Sequence, residues 1–310
     1  MGSQVENRIA IEQNRLERIV LLRAQRRLYS RAKVLQTVFA VLALLLPALS
    51  VIVGPSLPAI RPYVALGSVA LLLFEVVYLL PKLRELTRNG AKLQEQFDTE
   101  VLELGWNRLA SGAKVDIEDI RDIGDKPFDR EGESKLPDWY EPSVASLPIS
   151  TARIICQRTN VTYDARTRKK YADCMFFVLL GLGLLLFVSG LAQDRTLESL
   201  LLSVFVPFMP LATFIAREYR KQKDTIESLT TLKSEADKLW DKVLKHAPPA
   251  ELAADSRGLQ DAIYRHRSSS PLIYDWVYSW LRRKNEDVAS ATAKQLVKDA
   301  LRGREEHKTA

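Results

Sequence analysis

Four long apolar runs limit what this chain can fold into. They form two pairs, Val34–Val53 with Tyr63–Leu80 and Ala172–Leu191 with Leu197–Ala216, and a short connector joins the members of each pair. Each run has 18 to 20 residues, and a helix needs about 20 apolar residues to cross roughly 30 Å of hydrocarbon. The sequence therefore predicts an all-α integral membrane protein, in which four transmembrane helices form two hairpins with helical cytosolic extensions.

The composition of the first pair favours insertion. Val34–Val53 holds thirteen Leu, Ile, Val or Phe residues and no charge, and together they contribute about −4 to −8 kcal/mol at mid-bilayer. Tyr63–Leu80 holds eleven such residues and one charge, Glu75, whose cost of at most about 3.5 kcal/mol they offset. The alternative is a buried helical hairpin of a soluble protein. Such a hairpin would carry a polar stripe, and none is visible.

Lysine and arginine residues beside the runs predict the topology, because such residues stay on the cytoplasmic side. Basic clusters precede the first and third runs and follow the second and fourth, whereas the connectors hold only Arg61 and Arg195. We therefore expect a multi-pass protein with both termini in the cytoplasm; the bacterial inner membrane as its location is what the family resemblance described below implies. The resulting segments are an amphipathic N-terminal helix (1–33), a transmembrane hairpin (34–80), a cytosolic insert with a stalk helix and an irregular region (81–171), a second hairpin (172–216) and a cytosolic helical region (217–310).

The remaining composition excludes several functions. The net charge of +7 first indicates contact with anionic headgroups, and only second an anionic ligand. The sequence has no Gly-rich phosphate loop, HExxH, GxSxG or CxxC. The acids between Asp116 and Asp125 lack the spacing of a calcium-binding loop. We therefore expect no enzymatic activity, no metal site and no cofactor.

Four stretches outside the apolar runs are distinctive: DIGDKPFD, LPDWYEP, ICQRTNVTYDARTRKKYAD and LQDAIYRHRSSSPLIYDWVYSWLR. Together with the two hairpins they resemble the SMODS-associated four-transmembrane effector family, over nearly the whole chain. Its members are proposed pore-forming effectors encoded beside a bacterial cGAS/DncV-like nucleotidyltransferase. The resemblance implies a role in antiphage (CBASS) defence, in which that enzyme makes a cyclic oligonucleotide. The effector would sense it in the cytosol and breach the inner membrane, causing abortive infection.

The resemblance also implies partners. They are the lipid bilayer, a cyclic oligonucleotide and further copies of the chain in a homo-oligomer, but not a nucleic acid polymer. An alternative function is that of a membrane-anchored sensor or scaffold that recruits partners without forming a pore. The resemblance carries no known ligand-binding or pore residues to this chain, so candidates have to come from the chemistry of the residues.

Arginine and aromatic side chains supply the candidates for ligand binding. Arginine pairs with phosphates bidentately, and aromatic rings stack on bases. The same residue types also anchor proteins at membrane interfaces, which is the alternative interpretation for those in the tail. The candidates are Arg153, Arg158, Arg166, Arg265 and Arg267, with Trp139, Tyr140 and Tyr264.

Glu75 is the main candidate for a pore or gating role, because an ionisable residue within a span seeks the bundle interior or water. Alternatively, it reaches the cytoplasmic headgroups and pairs with a juxtamembrane arginine. Proline can kink a span, and glycine permits close approach of helices. The further gating candidates are Pro47, Gly181, Gly183, Pro207 and Pro210.

Overall fold

The computed structural model of this 310-residue chain describes residues 6–53, 56–191, 198, 201 and 205–309. Within these ranges the chain is helical and contains no strand, which confirms the all-α fold class. The α-helices are α1 (Ile9–Glu12), α2 (Leu16–Ile52), α3 (Arg61–Phe74), α4 (Leu80–Val101), α5 (Arg108–Ser111), α6 (Ile117–Gly124), α7 (Arg130–Glu133), α8 (Ile149–Leu191), α9 (Val206–Leu244), α10 (Pro249–Ser269) and α11 (Asp275–Thr309).

The apolar runs lie within long helices. Among the described residues, two helical stretches are long and apolar enough to cross a membrane, Leu16–Ser50 and Pro58–Val101. The third run forms the last part of α8. Most of the first half of the fourth run, Leu197–Ala216, lies outside the described residues, and its second half opens α9.

Helix α2 reverses its exposure pattern along its length. In its first half the apolar side chains Leu22 and Leu28 are buried. In its second half Leu45 is 50% exposed and Ile52 74% exposed, whereas the polar Gln36 and Ser50 are buried. Other helices present apolar side chains outward in the same way. We refer to these residues as the apolar belt: Leu45, Ile52, Leu66, Val77, Phe177 and Leu184.

Two hydrophobic cores lie at different levels of the molecule. Helices α2, α8 and α9 contribute to both, so each runs from one core to the other. The larger, first core includes Leu22, Phe97, Ile155, Leu229 and Ile263. The smaller, second core includes Phe39, Leu79, Met175, Phe214 and Ile273.

A π-helical turn, Glu75–Leu79, joins α3 to α4 without a loop. Glu75 and Leu79 are buried within it, whereas Val76 and Val77 face outward. Single π turns inside α-helices are frequent at functional sites. Here the turn carries the charged residue of the second apolar run.

The segment that holds α6 and α7 folds back over the first half of α2. Gly124 permits the close approach, since a Cβ atom there would lie 2.6 Å from the carbonyl oxygen of Val20. Arg23 donates to both carboxylate oxygens of Glu133, with Nη2 2.7 Å from Oε2. Further guanidinium groups of α2 donate to backbone carbonyl oxygens of the segment: Arg26 to Gly132, and Arg27 to Ile123 and Lys126.

Candidate functional site

A cavity of about 240 Å³ lies among the helices of the first core. We refer to it as the first cavity. Helices α2, α4, α8, α9 and α10 contribute to its walls, and the segment between α10 and α11 closes one side. The lining residues include Tyr29, Lys33, Thr87, Trp139, Asn160, Asp164, Arg168, His266, Arg267, Ser270, Pro271 and Leu272.

Arg267 of α10 is held in this wall by a buried carboxylate. Its Nη1 atom lies 2.9 Å from Oδ2 of Asp98, which is 1% exposed. The other oxygen of Asp98 accepts a hydrogen bond of 2.7 Å from the hydroxyl of Tyr140. Burial alone would lower the pKa of Arg267, but Asp98, Tyr29 and Glu95 together outweigh burial and raise that pKa. Arg267 is therefore a fixed cation.

Arg168 of α8 connects three parts of the fold. Its Nε atom lies 2.9 Å from Oδ1 of Asp164, one turn earlier on the same helix. Its Nη1 atom donates to Oε1 of Gln222 on α9 at 3.0 Å and to the carbonyl oxygen of Pro271 at 2.8 Å. One guanidinium group thus joins α8, α9 and the segment between α10 and α11.

Asp164 is the carboxylate on the cavity wall, and two basic groups keep it ionised. Burial opposes ionisation, but Arg168 and His266 outweigh it and lower the pKa of Asp164 to about 2. The Nε2 atom of His266 lies 3.6 Å from Oδ2 of Asp164. The same ring contacts two hydroxyl groups, with Nδ1 3.1 Å from Ser228 Oγ and Nε2 3.2 Å from Ser270 Oγ.

Aromatic side chains form another part of the wall. Trp139 packs edge-on against Phe97, with 6.1 Å between the ring centroids. Its indole N–H is buried and has no hydrogen-bond partner within the described part of the chain. Burial raises the pKa of Tyr29 to about 12, so this phenol stays neutral. Gly90 leaves room for the Tyr29 ring, 3.1 Å from where a Cβ atom would lie.

The wall carries more positive than negative charge. It presents three cations, Lys33, Arg168 and Arg267, and one carboxylate, Asp164. Cationic donors bind phosphates through charge-assisted hydrogen bonds, and aromatic faces stack on bases. The first cavity is therefore chemically suited to an anionic ligand that contains a planar ring.

Comparison with known proteins gives the family. The sequence profile of the SMODS-associating 4TM effector domain matches residues 7–296. The chain belongs to this family. A probable CBASS effector molecule of Bacillus cereus (strain VD146) is 28% identical over 291 residues, which cover 89% of this chain and 93% of the relative. No solved structure matches the chain. The family predicted from the sequence is thus confirmed, and the 4TM domain together with the two apolar helices indicates a membrane location.

Two of the ligand-binding candidates of this 4TM effector, Trp139 and Arg267, line the first cavity. Tyr140 supports it from behind by donating to Asp98. Arg166 and Arg265 are exposed and lie outside the first cavity. The structure therefore brings together only part of the predicted set.

The other candidates make structural contacts elsewhere. Arg153 is buried and donates to the carbonyl oxygens of Leu102 and Glu103, at 2.5 and 2.7 Å, just after the end of α4. Arg158 pairs with Asp237 at 2.7 Å, which joins α8 to α9. Tyr264 is buried on α10 and is not among the residues that line the first cavity.

Sequence reasoning missed Lys33, Arg168, His266 and Tyr29. Lys33 and Arg168 belong to the basic clusters beside the first and third apolar runs, which predict topology but do not single out a ligand-binding residue. Helix spacing held a further signal, because Gln157, Val161, Asp164 and Arg168 follow one face of α8. When polar and charged residues continue the apolar stripe of a helix, they indicate a polar cavity or a buried polar network within the core.

The gating candidates lie in the part of the molecule that carries the apolar belt. Oε1 of Glu75 lies 2.5 Å from Nη1 of Arg217, so the residue has the arginine partner considered above. Pro47, Pro207 and Pro210 are buried. Gly181 and Gly183 are exposed, and among the described residues no atom lies within 4 Å of a Cβ added at either. Their roles in a pore stay predictions.

Proposed function

We propose that this 4TM effector binds a cyclic oligonucleotide in the first cavity and responds by breaching the bacterial inner membrane. In this proposal the nucleotide is the signal of an antiphage system, and loss of the membrane barrier ends the infected cell. The single observation that carries the proposal is the position of Arg168. It lines a cationic cavity on a helix, α8, that continues into an apolar run.

The chemistry of the first cavity supports the choice of ligand. Three cations on the wall suit phosphate groups, and Trp139 offers an aromatic ring. The relative from Bacillus cereus is named as a probable CBASS effector molecule. We carry that role to this chain as part of the proposal.

The apolar belt supports a membrane-spanning arrangement. In a bilayer apolar side chains face lipid and polar ones turn inward, which is the pattern of the second half of α2. The 37 residues of α2 extend over about 55 Å at 1.5 Å per residue. This exceeds roughly 30 Å of hydrocarbon, so the first half of α2 would stand in the cytosol with the first core.

Signal transmission requires that the ligand bind one state better than another. Arg168 of α8 donates to Gln222 of α9, and these helices carry the third and fourth apolar runs. A phosphate that competes for Arg168 would change the packing of α8 against α9 at the membrane boundary. Since the outward faces of the described spans are apolar, we propose that an aqueous path forms when copies of the chain rearrange together. No catalytic step is needed.

A liposome experiment tests the proposal. The full-length protein is reconstituted into vesicles that hold a self-quenching dye, and a panel of cyclic di- and trinucleotides is added. We expect one of them to release the dye. Arg168→Gln should raise the concentration needed by about tenfold or more, since a charge-assisted hydrogen bond contributes about 1.5 to 3 kcal/mol. Arg166→Gln removes an exposed arginine from the same helix and should behave like the parent.

Other results would lead to other conclusions. Nucleotide binding without dye release would indicate a membrane-anchored sensor or scaffold that recruits partners. Equal effects of Arg168→Gln and Arg166→Gln would remove the first cavity as the ligand site.

A further inference from the structure

A second cavity, of about 660 Å³, adjoins the first cavity. It lies between α4 and α9, where the second apolar run ends. Four cations line it together with three acids, and Glu75 and Glu218 are the buried ones among these acids. The cations are Arg84, Arg88, Arg217 and Lys221.

One short segment separates the two cavities. Ser270, Pro271 and Leu272 line both of them, as does Thr87 of α4. The segment is not helical and links α10 to α11. We refer to Ser270–Ile273 as the partition.

Side chains of α8 and α9 hold the partition in place. Arg168 donates to the carbonyl oxygen of Pro271 at 2.8 Å, and Gln222 donates to that of Leu272 at 3.2 Å. These are hydrogen bonds to neutral carbonyl groups. A phosphate oxygen would form a stronger, charge-assisted bond with Arg168. A phosphate ligand can therefore displace the partition in exchange for a better acceptor.

The volumes of the two cavities also support a ligand that extends from the first cavity into the second. The first cavity, at about 240 Å³, is smaller than the range of roughly 300 to 1,000 Å³ in which proteins enclose drug-sized ligands. The volumes of the two cavities together fall inside that range. A cyclic oligonucleotide also carries phosphates at separate points of its ring, and the two cavities offer cations at separate points.

We propose that the ligand displaces the partition and occupies both cavities, with Arg88 and Lys221 binding a phosphate in the second. This inference rests on the proposed function and adds the extent of the site.

Displacement of the partition would directly change the packing of the second core, which lies in the part of the molecule with the apolar runs. Ile273 belongs to the second core, and the ring of Tyr274 packs edge-on against Tyr171 of α8 at 6.4 Å. Moving Pro271 and Leu272 would withdraw these neighbours from the space between α8 and α9. The second cavity also contains the ion pair of Glu75 and Arg217, for which a bound phosphate would compete.

The test measures nucleotide affinity and hydrogen exchange of the full-length protein in an uncharged detergent. Lipid is left out, because headgroups carry the same phosphate chemistry. The double variant Arg88→Gln/Lys221→Gln should weaken binding of the active cyclic nucleotide by about tenfold or more. The control double variant Arg220→Gln/Lys223→Gln removes the same charge from exposed positions of α9 outside both cavities, and should bind like the parent.

Hydrogen exchange gives an independent readout. The active nucleotide should speed exchange at residues 270–274, whereas a cyclic mononucleotide that binds only the first cavity should not. If nucleotide binds but both double variants match the parent and exchange at 270–274 stays unchanged, this inference is wrong and the proposed function stands. If no nucleotide of the panel binds, the proposed function fails and this inference fails with it.

Discussion

At the scale of single residues, Glu75 combines full burial with an unused hydrogen-bonding group. One carboxylate oxygen pairs with Arg217, and the other is buried without a partner among the described residues. Removing one member of a buried ion pair costs about 3 to 5 kcal/mol, because the remaining charge is left uncompensated. Two roles for such a pair are that it separates during function or that it fixes one packing arrangement.

Changing Glu75 distinguishes these roles. If Glu75 lines the open path, Glu75→Gln should reduce the cation preference of the conducting state, since a fixed negative charge is lost. Glu75→Leu should suppress leakage. In planar bilayers the reversal potential measures the selectivity and the conductance measures the leakage, with Glu118→Gln, an exposed acid on α6, as the control. Parent-like conductance and selectivity in both variants would make Glu75 only the structural partner of Arg217.

At the scale of elements, close packing of α6 on α2 fixes the segment that covers the first half of α2. Gly124 allows this contact, because a Cβ atom would lie 2.6 Å from the Val20 carbonyl oxygen and 2.9 Å from the Val20 Cγ1 atom. The Val20 carbonyl oxygen belongs to the backbone of α2, so it cannot move away from an added Cβ atom as the end of a flexible side chain could. The contact therefore depends on one glycine.

A pair of glycine substitutions tests this contact. Gly124→Ala should destabilise the protein by about 1 to 3 kcal/mol through overpacking. Gly258→Ala on α10, where a Cβ atom meets open space, should stabilise it by up to about 1 kcal/mol, because alanine favours helix. Thermal unfolding in detergent measures both changes. Equal melting temperatures for the two variants would contradict the close packing of α6.

The sequence predicts the long helices, because they depend on local pattern. It does not predict the lining of the first cavity, because that depends on tertiary contacts. Apolar length and periodicity are local properties, so the long helices, including the continuation of α2 into the first apolar run, follow from the sequence. The lining of the first cavity depends on which helix faces meet. Arg153 and Arg267 look alike in sequence, yet one binds carbonyl groups after α4 and the other pairs with Asp98 beside the cavity. That difference arises only when α4 packs on α10.

At the scale of the whole molecule, both ends of the described chain lie together. Glu6 and Arg304 form an ion pair of 3.0 Å, and the backbone N–H of Glu6 donates to the carbonyl oxygen of Ala145. Chain ends that lie together would stay on one side of a bilayer, so in a membrane this arrangement predicts an even number of crossings. The four spans predicted from the sequence have that property.

Labelling of single cysteines tests the topology. In a variant with Cys156 and Cys174 replaced, a cysteine at Ser56 should react with an impermeant thiol reagent added to intact cells, because Ser56 lies between the first two apolar runs. Cysteines at Ser134 and Ser268 should react only after permeabilisation. The reverse pattern would overturn the expected orientation.

The arginine residues on the first half of α2 have a consequence for biogenesis. Arg23, Arg26 and Arg27 belong to the basic cluster that precedes the first apolar run, yet in the folded protein they bind groups between residues 123 and 135. These acceptors are synthesised about a hundred residues later. During translation the arginines are therefore available to lipid headgroups, and only afterwards does the later segment sequester them. We expect the orientation of the first span to be set before the acceptor groups are synthesised and to stay unchanged afterwards. Mutation of the acceptors would therefore impair folding without inverting the topology.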